Sequence, residues 1–289
     1  MIARLATRYL VCLALAGCLE APPDAEPPAL MHSLEFFGHS YQDPGIDRVW
    51  IPAERPSPVG RLGRNDFTVE LWLKLDASAL RDTGGCPESW WQGTILLDRE
   101  FFTAPQNGSI GLSLHRTADL TGVAAGFTVI DAPGVDVCGS IEVGDGAWHH
   151  VAMTRDPDHL ISIWVDGLLD AEVAGPAGDG SFADDLVGEE LNDRFMVLGG
   201  PKHASDEQPG FTGFIDDVRL SSSNLYDKSF DPPLPPLAVD PEKTLALWNF
   251  DEGEGDSSEQ RAGDGAADAD LRVGGEPPGP IWSNDVPGP

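Results

Sequence analysis

The chain has 289 residues, and its 48 Asp and Glu outnumber its 18 Lys and Arg, so its formal net charge at pH 7 is −30. This excess of acids argues against nucleic acid and anionic lipid surfaces as electrostatic partners, because phosphate groups are neutralised by Lys and Arg. The length suits one domain of roughly 200 to 250 residues with tails, which is enough to bury a self-sufficient core.

The first 17 residues have the features of an export signal. An N-terminal segment with two Arg residues precedes the apolar run 9–16. This run is too short to span a bilayer. The run ends in Leu-Ala-Gly-Cys, which resembles the lipobox of bacterial lipoprotein signal peptides. The resemblance implies cleavage after residue 17, a lipid on Cys18 and anchoring in a membrane of the cell envelope. Leu19 after the Cys points to the outer membrane or the cell surface. The alternative is an ordinary secretory signal in which Cys18 is incidental.

Residues 18–32 follow as a Pro- and acid-rich segment without an apolar period. Such a composition predicts an extended tether that holds a folded domain up to roughly 35 Å from the membrane, at about 3.1 Å per residue. After residue 250 the chain again becomes rich in Gly, Asp, Glu and Pro. Residues 251–289 are therefore predicted to form an irregular acidic tail that adds at most one edge strand.

Between residues 33 and 250, short apolar segments alternate with turn clusters. In 67–75 the odd positions are all apolar, and this period of two predicts a strand with one face on a core. Twelve such segments and no long helical period predict an all-β antiparallel sandwich. The predicted strands are Leu34–Phe37, Arg48–Ile51, Phe67–Leu75, Thr94–Arg99, Ile110–His115, Gly126–Asp131, Ala147–Thr154, Leu160–Val165, Leu168–Val173, Phe195–Leu198, Thr212–Leu220 and Thr244–Phe250.

Two of the four cysteines, Cys86 and Cys138, lie in the predicted domain. An exported protein folds in an oxidising compartment, so the pair predicts a disulfide; two free thiols are the alternative. Closing a loop of about 50 residues would stabilise the fold by on the order of 4 kcal/mol in the chain-entropy model.

The segment 145–167, DGAWHHVAMTRDPDHLISIWVDG, carries the strongest pattern in the chain. It predicts two strands of a hairpin, after which Asp166 and Gly167 supply the positive φ angles of a tight turn. His149 and His150 are adjacent on a strand and therefore face opposite sides. They are predicted to be structural residues rather than ligands of one zinc ion.

This segment resembles the W-H-H-V-A…T-R-D…I-x-V-D-G signature of the laminin G-like family of concanavalin A-like jelly rolls. Three further segments look like elements of the same family: DFTVELWLKLD at 66–76, GFIDDVRLSSSNLYDKSF at 213–230 and TLALWNFDEGEGD at 244–256. The resemblance covers about residues 33–282 and implies a jelly-roll sandwich whose role is binding or adhesion. The inserts 77–93 and 174–192 depart from the family pattern, so no particular ligand is carried over.

Asp216 and Asp217 are the candidate metal ligands. On a regular strand Asp216 shares its face with Phe214, Val218 and Leu220, and a carboxylate among apolar side chains is costly unless it is paired or bound to a cation. Calcium takes oxygen ligands and fills this role in jelly rolls with a similar Ile-Asp-Asp-Val element, so the resemblance implies Ca²⁺ as a cofactor. The alternative is a carboxylate satisfied by backbone N–H groups or by a nearby Arg.

Trp90, Trp91, Phe101 and Phe102 lie in or beside the first insert. They are the candidate ligand-binding residues, because exposed aromatic rings at the rim of a sandwich can stack on sugar rings. The alternative is that Phe101 and Phe102 plug the edge of the core and that Trp90 covers the disulfide.

The chain shows no catalytic pattern. Retaining glycosidases of this fold carry a Glu-x-Asp-x-x-Glu strand that sets two carboxyls about 5–5.5 Å apart, whereas Glu70 stands alone on its strand. We therefore expect a non-catalytic, lipid-anchored binding or adhesion module, with a carbohydrate or a protein as ligand. A glycan-active enzyme, either a glycoside hydrolase or a polysaccharide lyase, is the second hypothesis. A structural envelope lipoprotein is the third.

Overall fold

The computed structural model describes residues 31–39, 47–53, 57–100, 108–129, 132–182, 194–203, 210–263, 266–272 and 280–288. These stretches contain sixteen strands, one helical turn at Pro58–Arg61 and two 3-10 turns at Ala77–Ala79 and Trp90–Gln92. The predicted all-β class is therefore confirmed. None of the helical turns in these stretches is long or apolar enough to cross a bilayer.

The strands are numbered in chain order. They are β1 (Ser33–Phe37), β2 (Arg48–Pro52), β3 (Phe67–Asp76), β4 (Thr94–Arg99), β5 (Ile110–Arg116), β6 (Thr121–Phe127), β7 (Val135–Cys138), β8 (Asp145–Arg155), β9 (Leu160–Val165), β10 (Leu168–Ala174), β11 (Phe195–Leu198), β12 (Thr212–Ser221), β13 (Thr244–Trp248), β14 (Ser257–Ser258), β15 (Ala269–Arg272) and β16 (Ile281–Ser283).

Two antiparallel sheets form the sandwich that the sequence predicts. The first sheet has the order β10-β9-β8-β3-β12-β1-β16, and β13 also pairs with β12. The second sheet has the order β14-β15-β2-β11-β4-β5-β6-β7. Each sheet therefore has one face on the core and one outer face, and the outer faces are the places where a ligand site can be built.

The core lies between the two sheets and is made by alternate strand residues. Phe67, Val69, Leu71 and Leu73 of β3 are fully buried in it, in agreement with the period of two in the sequence. Full burial of an aliphatic or aromatic side chain stabilises the fold by about 1.5–3 kcal/mol. This gain decides which face of β3 turns inward and leaves Thr68, Glu70, Trp72 and Lys74 on the outer face.

One predicted strand, Gly126–Asp131, is wrong. The chain instead forms a hairpin of β6 and β7, so β6 begins five residues earlier and ends at Phe127. The sequence of β6, TGVAAGF, is poor in bulky residues because Gly122, Ala124 and Gly126 alternate on one face. Small residues lower the strand signal, and this small-residue face proves to be where another part of the chain packs.

The segment 251–289, expected to be an irregular tail with at most one edge strand, supplies three short strands. β14 and β15 extend the second sheet beyond β2, and β16 pairs with β1 in the first sheet. Asp285 anchors this end, since its carboxylate accepts hydrogen bonds from Lys74 Nζ at 2.5 Å and Trp148 Nε1 at 2.9 Å. Leu271 of β15 is buried in the core, so the end of the chain is part of the sandwich.

Candidate functional site

A row of residues crosses the outer face of the second sheet and carries the candidate site. The strand registers place Asp98 beside Gly111, Gly111 beside Gly126, and Gly126 beside Asp136. Two glycines therefore lie between two carboxylates. Because neighbouring residues in a sheet point to the same side, the glycines leave a groove on this face.

The first insert fills part of the groove with Trp90, which is only 5% exposed. A Cβ atom on Gly111 would lie 2.3 Å from the indole ring, and one on Gly126 would lie 1.8 Å from it. The backbone of Trp90 is fixed as well, because its N–H donates to Asp136 Oδ1 at 2.8 Å and its carbonyl accepts from Ser113 Oγ at 2.6 Å. Trp90 is thus a packed wall of the groove.

A disulfide holds the insert against the sheet. Cys86 of the insert is bonded to Cys138 of β7, with their Cα atoms 5.9 Å apart. Cys138 lies two residues after Asp136 on the same strand and therefore on the same face. The bridge ties the segment that carries the two tryptophans to the strand that carries Asp136.

What remains of the groove is a cleft of about 420 Å³. Trp91 stands at its edge with 44% of its surface exposed. The polar residues that line it are Ser89, Glu100, Ser109, Thr128 and Asp136. An aromatic ring beside a few fixed polar groups is the usual composition of a small-ligand site.

Asp136 is the best-defined polar group of the cleft. Desolvation raises the pKa of its carboxyl, and the hydrogen bond from the backbone of Trp90 opposes that rise. Its side chain is oriented by this bond and by the pairing of β7 with β6. Asp136 can therefore present its other carboxylate oxygen, Oδ2, in a defined position.

The structure places two of the four predicted ligand-binding residues, Trp90 and Trp91, in one cleft. Phe101 and Phe102 lie outside the described residues. No sequence pattern indicates Asp136, Ser109 or Thr128 as site residues. The predicted disulfide carried a signal for Asp136. A bridge between the insert and Cys138 brings β7 close to the tryptophans, and Asp136 lies two residues before Cys138 on that strand.

The acid pair lies on the first sheet, and the predicted face of Asp216 is wrong. Its neighbour Asp217 has a φ of +47°, in the left-handed region. A β-bulge interrupts the pairing of β12 with β3 between Asp216 and Arg219. The extra residue reverses the alternation. Val218 and Leu220 face the core, whereas Asp216 pairs with Trp72 on the outer face.

Both acids are nonetheless buried. Burial and the nearby charges of Asp217 and Asp251 raise the pKa of Asp216 to about 10. Burial also raises the pKa of Asp217 to about 7, although its Oδ1 accepts hydrogen bonds from the amide of Asn249 and from Leu237 N–H. Asp217 Oδ2 is buried and has no hydrogen-bond partner.

The described residues contain no group of three or more His, Cys, Asp or Glu side chains placed to hold a metal ion. The buried carboxyls are satisfied in part by a proton and by backbone and amide donors. Calcium at Asp216 or Asp217 stays a prediction.

The segment 222–240 covers another part of the outer face of the first sheet. Beneath it Glu70 Oε1 accepts a hydrogen bond from Arg219 Nε at 2.8 Å, and Glu70 Oε2 accepts one from the Tyr226 hydroxyl at 2.6 Å. His150 Nε2 lies 3.0 Å from the same Glu70 Oε2. Burial alone would raise the pKa of Glu70, but His150 and Arg219 lower it below its usual value. This carboxylate is a fixed, inaccessible counter-ion.

The two adjacent histidines face opposite sides, as expected for a strand. His149 Nδ1 lies 2.7 Å from Asp166 Oδ2 and its Nε2 lies 3.1 Å from Asp145 Oδ1. The hydrogen bond with Asp166 is the main reason why the pKa of His149 is raised. The carboxylate of Asp166 also accepts the backbone N–H of His150, so the turn and the strand are bonded to each other.

Comparison with known proteins gives a family and a fold. The sequence model of the concanavalin A-like lectin/glucanases superfamily matches residues 53–229. A candidate carbohydrate-binding protein from Bacteroides ovatus is similar in structure, with a TM-score of 0.50 and 17% identity over 85% of this chain. The match covers 61% of the length of that protein. No curated protein sequence matches the chain significantly.

Two further solved structures share the fold more distantly. Domains LG4-5 of the mouse laminin α1 chain align with a TM-score of 0.44 and 14% identity, over 76% of this chain and 50% of theirs. The CBM40 module of the Ruminococcus gnavus IT-sialidase, solved with α2,3-sialyllactose, aligns with a TM-score of 0.41 and 16% identity, over 67% of this chain and 95% of its own. At these identities the likeness concerns the fold alone.

Proposed function

Because this chain belongs to the concanavalin A-like lectin/glucanases superfamily, we propose that it is a non-catalytic module that binds a glycan in the cleft beside Trp91. One observation carries the proposal: Trp91 is 44% exposed at the edge of a cleft that also presents hydroxyls and carboxyls. The apolar face of a sugar ring packs on an indole ring, while the sugar hydroxyls need fixed polar partners. The similarity in fold to a candidate carbohydrate-binding protein agrees with this proposal.

A glycan-array screen of the full chain tests the proposal, followed by titration of the best glycan with Trp91→Ala. We expect the variant to bind at least about tenfold more weakly, which corresponds to about 1.4 kcal/mol, because aromatic anchors dominate binding energies. Leu169→Ala, which removes another exposed apolar side chain outside the cleft, is the matched control. Equal binding by the wild type and Trp91→Ala would refute this location of the site.

Hydrolysis of a glycan is the second candidate function, and the two carboxyls in the cleft, Glu100 and Asp136, favour it. We propose binding without hydrolysis because Asp136 already holds the backbone of Trp90 and Glu70 is sealed beneath the segment 222–240. Release of reducing ends from a bound oligosaccharide would reverse this choice. A chain that folds but binds no glycan would favour a protein ligand or a structural role in the envelope.

We further propose that the protein is exported and anchored in the cell envelope by a lipid on Cys18. The support is the order of a basic start, an apolar run and Leu-Ala-Gly-Cys in the sequence; Cys18 and the tether up to residue 30 lie outside the described residues. Detergent-phase partitioning of the wild type and of Cys18→Ser tests the anchor. The variant should move to the aqueous phase, and unchanged partitioning would refute the lipid.

A further inference from the structure

We propose that the cleft beside Trp91 selects uncharged glycans and rejects anionic ones such as sialylated, uronic or sulfated sugars. This inference rests on the proposed glycan-binding function and names the class of sugar. It follows from the charges that line the cleft, from the atoms that those charges present and from the charge of the whole chain.

The charged side chains among the described residues of the cleft are both acids. Glu100 and Asp136 line it, and no Lys, Arg or His among the described residues does so. Recognition of sugar carboxylates or sulfates in proteins relies on cations, with Arg the preferred group because it binds such anions through two parallel hydrogen bonds. The described walls of this cleft offer an anion no such partner.

A cation does lie close to the backbone of Glu100, but it is turned away from the cleft. Lys202 Nζ donates to the carbonyl oxygen of Glu100. The Lys202 side chain is packed against aromatic rings, with Nζ 4.6 Å from the ring centre of Phe195 and 5.5 Å from that of Phe182. Because Lys202 is only 1% exposed, its ammonium group is committed to the interior and cannot meet a ligand.

The carboxylate of Asp136 favours hydroxyl groups because an ionised carboxylate only accepts hydrogen bonds. Oδ1 accepts the N–H of Trp90 at 2.8 Å, and Oδ2 has no hydrogen-bond partner among the described residues. A sugar hydroxyl can donate to Oδ2. A sugar carboxylate or sulfate at the same place cannot donate a hydrogen bond to Oδ2, and its negative charge is repelled by that of Asp136.

The charge of the whole chain acts in the same direction. A formal charge of −30 creates a negative field that repels anionic glycans before contact. Salt screens this field over about 8 Å at physiological ionic strength, whereas the contact between Asp136 and a ligand is screened much less. The two contributions can therefore be separated by their salt dependence.

The test compares pairs of glycans that differ only in charge, using the full chain. Suitable pairs are the methyl ester and the free acid of α2,3-sialyllactose, and methyl-esterified and free oligogalacturonate. Unsulfated and sulfated galactan form a third pair, which differs by the sulfate groups. We expect the uncharged member of a bound pair to bind at least tenfold more tightly at 0.15 M salt, as an order of magnitude for one unfavourable contact between like charges. Added salt should reduce this preference but not remove it.

Asp136→Asn separates the local contact from the overall charge. The Asn side-chain oxygen can still accept the N–H of Trp90, so the wall of the cleft is kept while the charge is lost. This variant should bind the anionic members more tightly and narrow the preference several-fold. Asp158→Asn removes the same charge from an exposed turn outside the cleft and should leave the preference nearly unchanged.

The outcomes distinguish the two proposals. Equal or tighter binding of the anionic members, or an equal effect of Asp136→Asn and Asp158→Asn, would overturn the selectivity and leave glycan binding intact. Binding of neither member of any pair would overturn the proposed function itself, and the selectivity with it.

Discussion

Asp216 shows how a single extra residue changes the role of a side chain. A strict alternation along β12 places Asp216 on the face of Val218 and Leu220, but the bulge at Asp217 puts it on the opposite face, beside Trp72. The left-handed backbone of Asp217 leaves little signal in the sequence, because Asp tolerates this conformation without glycine. The sequence pattern indicates that a carboxylate in this strand is unusual, whereas the face that it occupies cannot be read from the pattern.

The raised pKa of Asp216 predicts a stability that falls as the pH rises. The folded protein keeps this proton up to a pKa of about 10, whereas the unfolded chain releases it at about pH 4, the ordinary pKa of an Asp side chain. The proton therefore stabilises the fold fully below the unfolded pKa, and this contribution is lost as the pH rises through the folded pKa. For one proton the free energy of unfolding changes by about 1.4 kcal/mol per pH unit.

Urea unfolding of the wild type and Asp216→Asn at several pH values between about 5 and 9 measures this effect. The variant should be more stable than the wild type at alkaline pH and should show a flatter profile, because its amide does not titrate. Asp158→Asn, which removes an exposed acid, is the control. Parallel profiles for Asp216→Asn and the wild type would contradict the prediction.

Calcium would stabilise the same acids in a different way, by replacing the proton. A ligand that binds only the folded state raises stability by about 2.7 kcal/mol at a hundredfold excess over its Kd. The melting temperature should then rise with calcium, and either Asp216→Asn or Asp217→Asn should abolish the rise. A melting temperature that responds to neither calcium nor EDTA would show that the protein satisfies these carboxyls without a metal ion.

At the scale of elements, the candidate site depends on the meeting of the first insert with β6 and β7. The small side chains that obscured β6 in the sequence are the ones that admit Trp90, since a Cβ on Gly126 would lie 1.8 Å from its ring. The strongly alternating strands, such as β3, were predictable because burial on one face explains every residue. The packing of the first insert against the glycine-rich strand β6 was not predictable, because this contact joins residues that are distant in sequence.

The disulfide should matter for binding as well as for stability, because it ties Cys86 of the insert to the strand of Asp136. The double variant Cys86→Ser and Cys138→Ser should lose up to about 4 kcal/mol of stability. It should also bind the glycan identified for the wild type more weakly, since Trp91 is no longer held at the cleft. Wild-type protein treated with reductant should behave in the same way, and unaltered affinity in both would show that the insert is held by its other contacts.

At the scale of the whole molecule, both outer faces of the sandwich are partly covered by the chain itself. The segment 222–240 covers Glu70 on the outer face of the first sheet. The insert with Trp90 fills part of the groove on the outer face of the second sheet and leaves a cleft. The fold class was predictable from patterning. The covering of the faces was not, because Tyr226, Phe230 and Trp90 lie in loops whose docking is specified by tertiary contacts rather than by a period.

The end of the chain is predicted to contribute to stability in proportion to its buried side chains. Ending the chain after residue 256 removes β14, β15 and β16 and with them the buried Leu271 and Ala269. Loss of a buried Leu alone costs roughly 2–5 kcal/mol, and the freed edges of β1 and β2 invite pairing between molecules. The shortened chain should unfold at lower denaturant and aggregate more readily; an unchanged unfolding midpoint would contradict this.

The contact between the first and the last strands also places one edge of the first sheet late in the order of folding. The Ser33 hydroxyl donates to the carbonyl oxygen of Asp285 at 2.6 Å, across a sequence separation of 252 residues, and β1 pairs with β16 beside it. Contacts between such distant residues form slowly, because the loop that joins them must close first. The edge of β1 that pairs with β16 is therefore completed late, after the opposite edge of β1 has paired with β12.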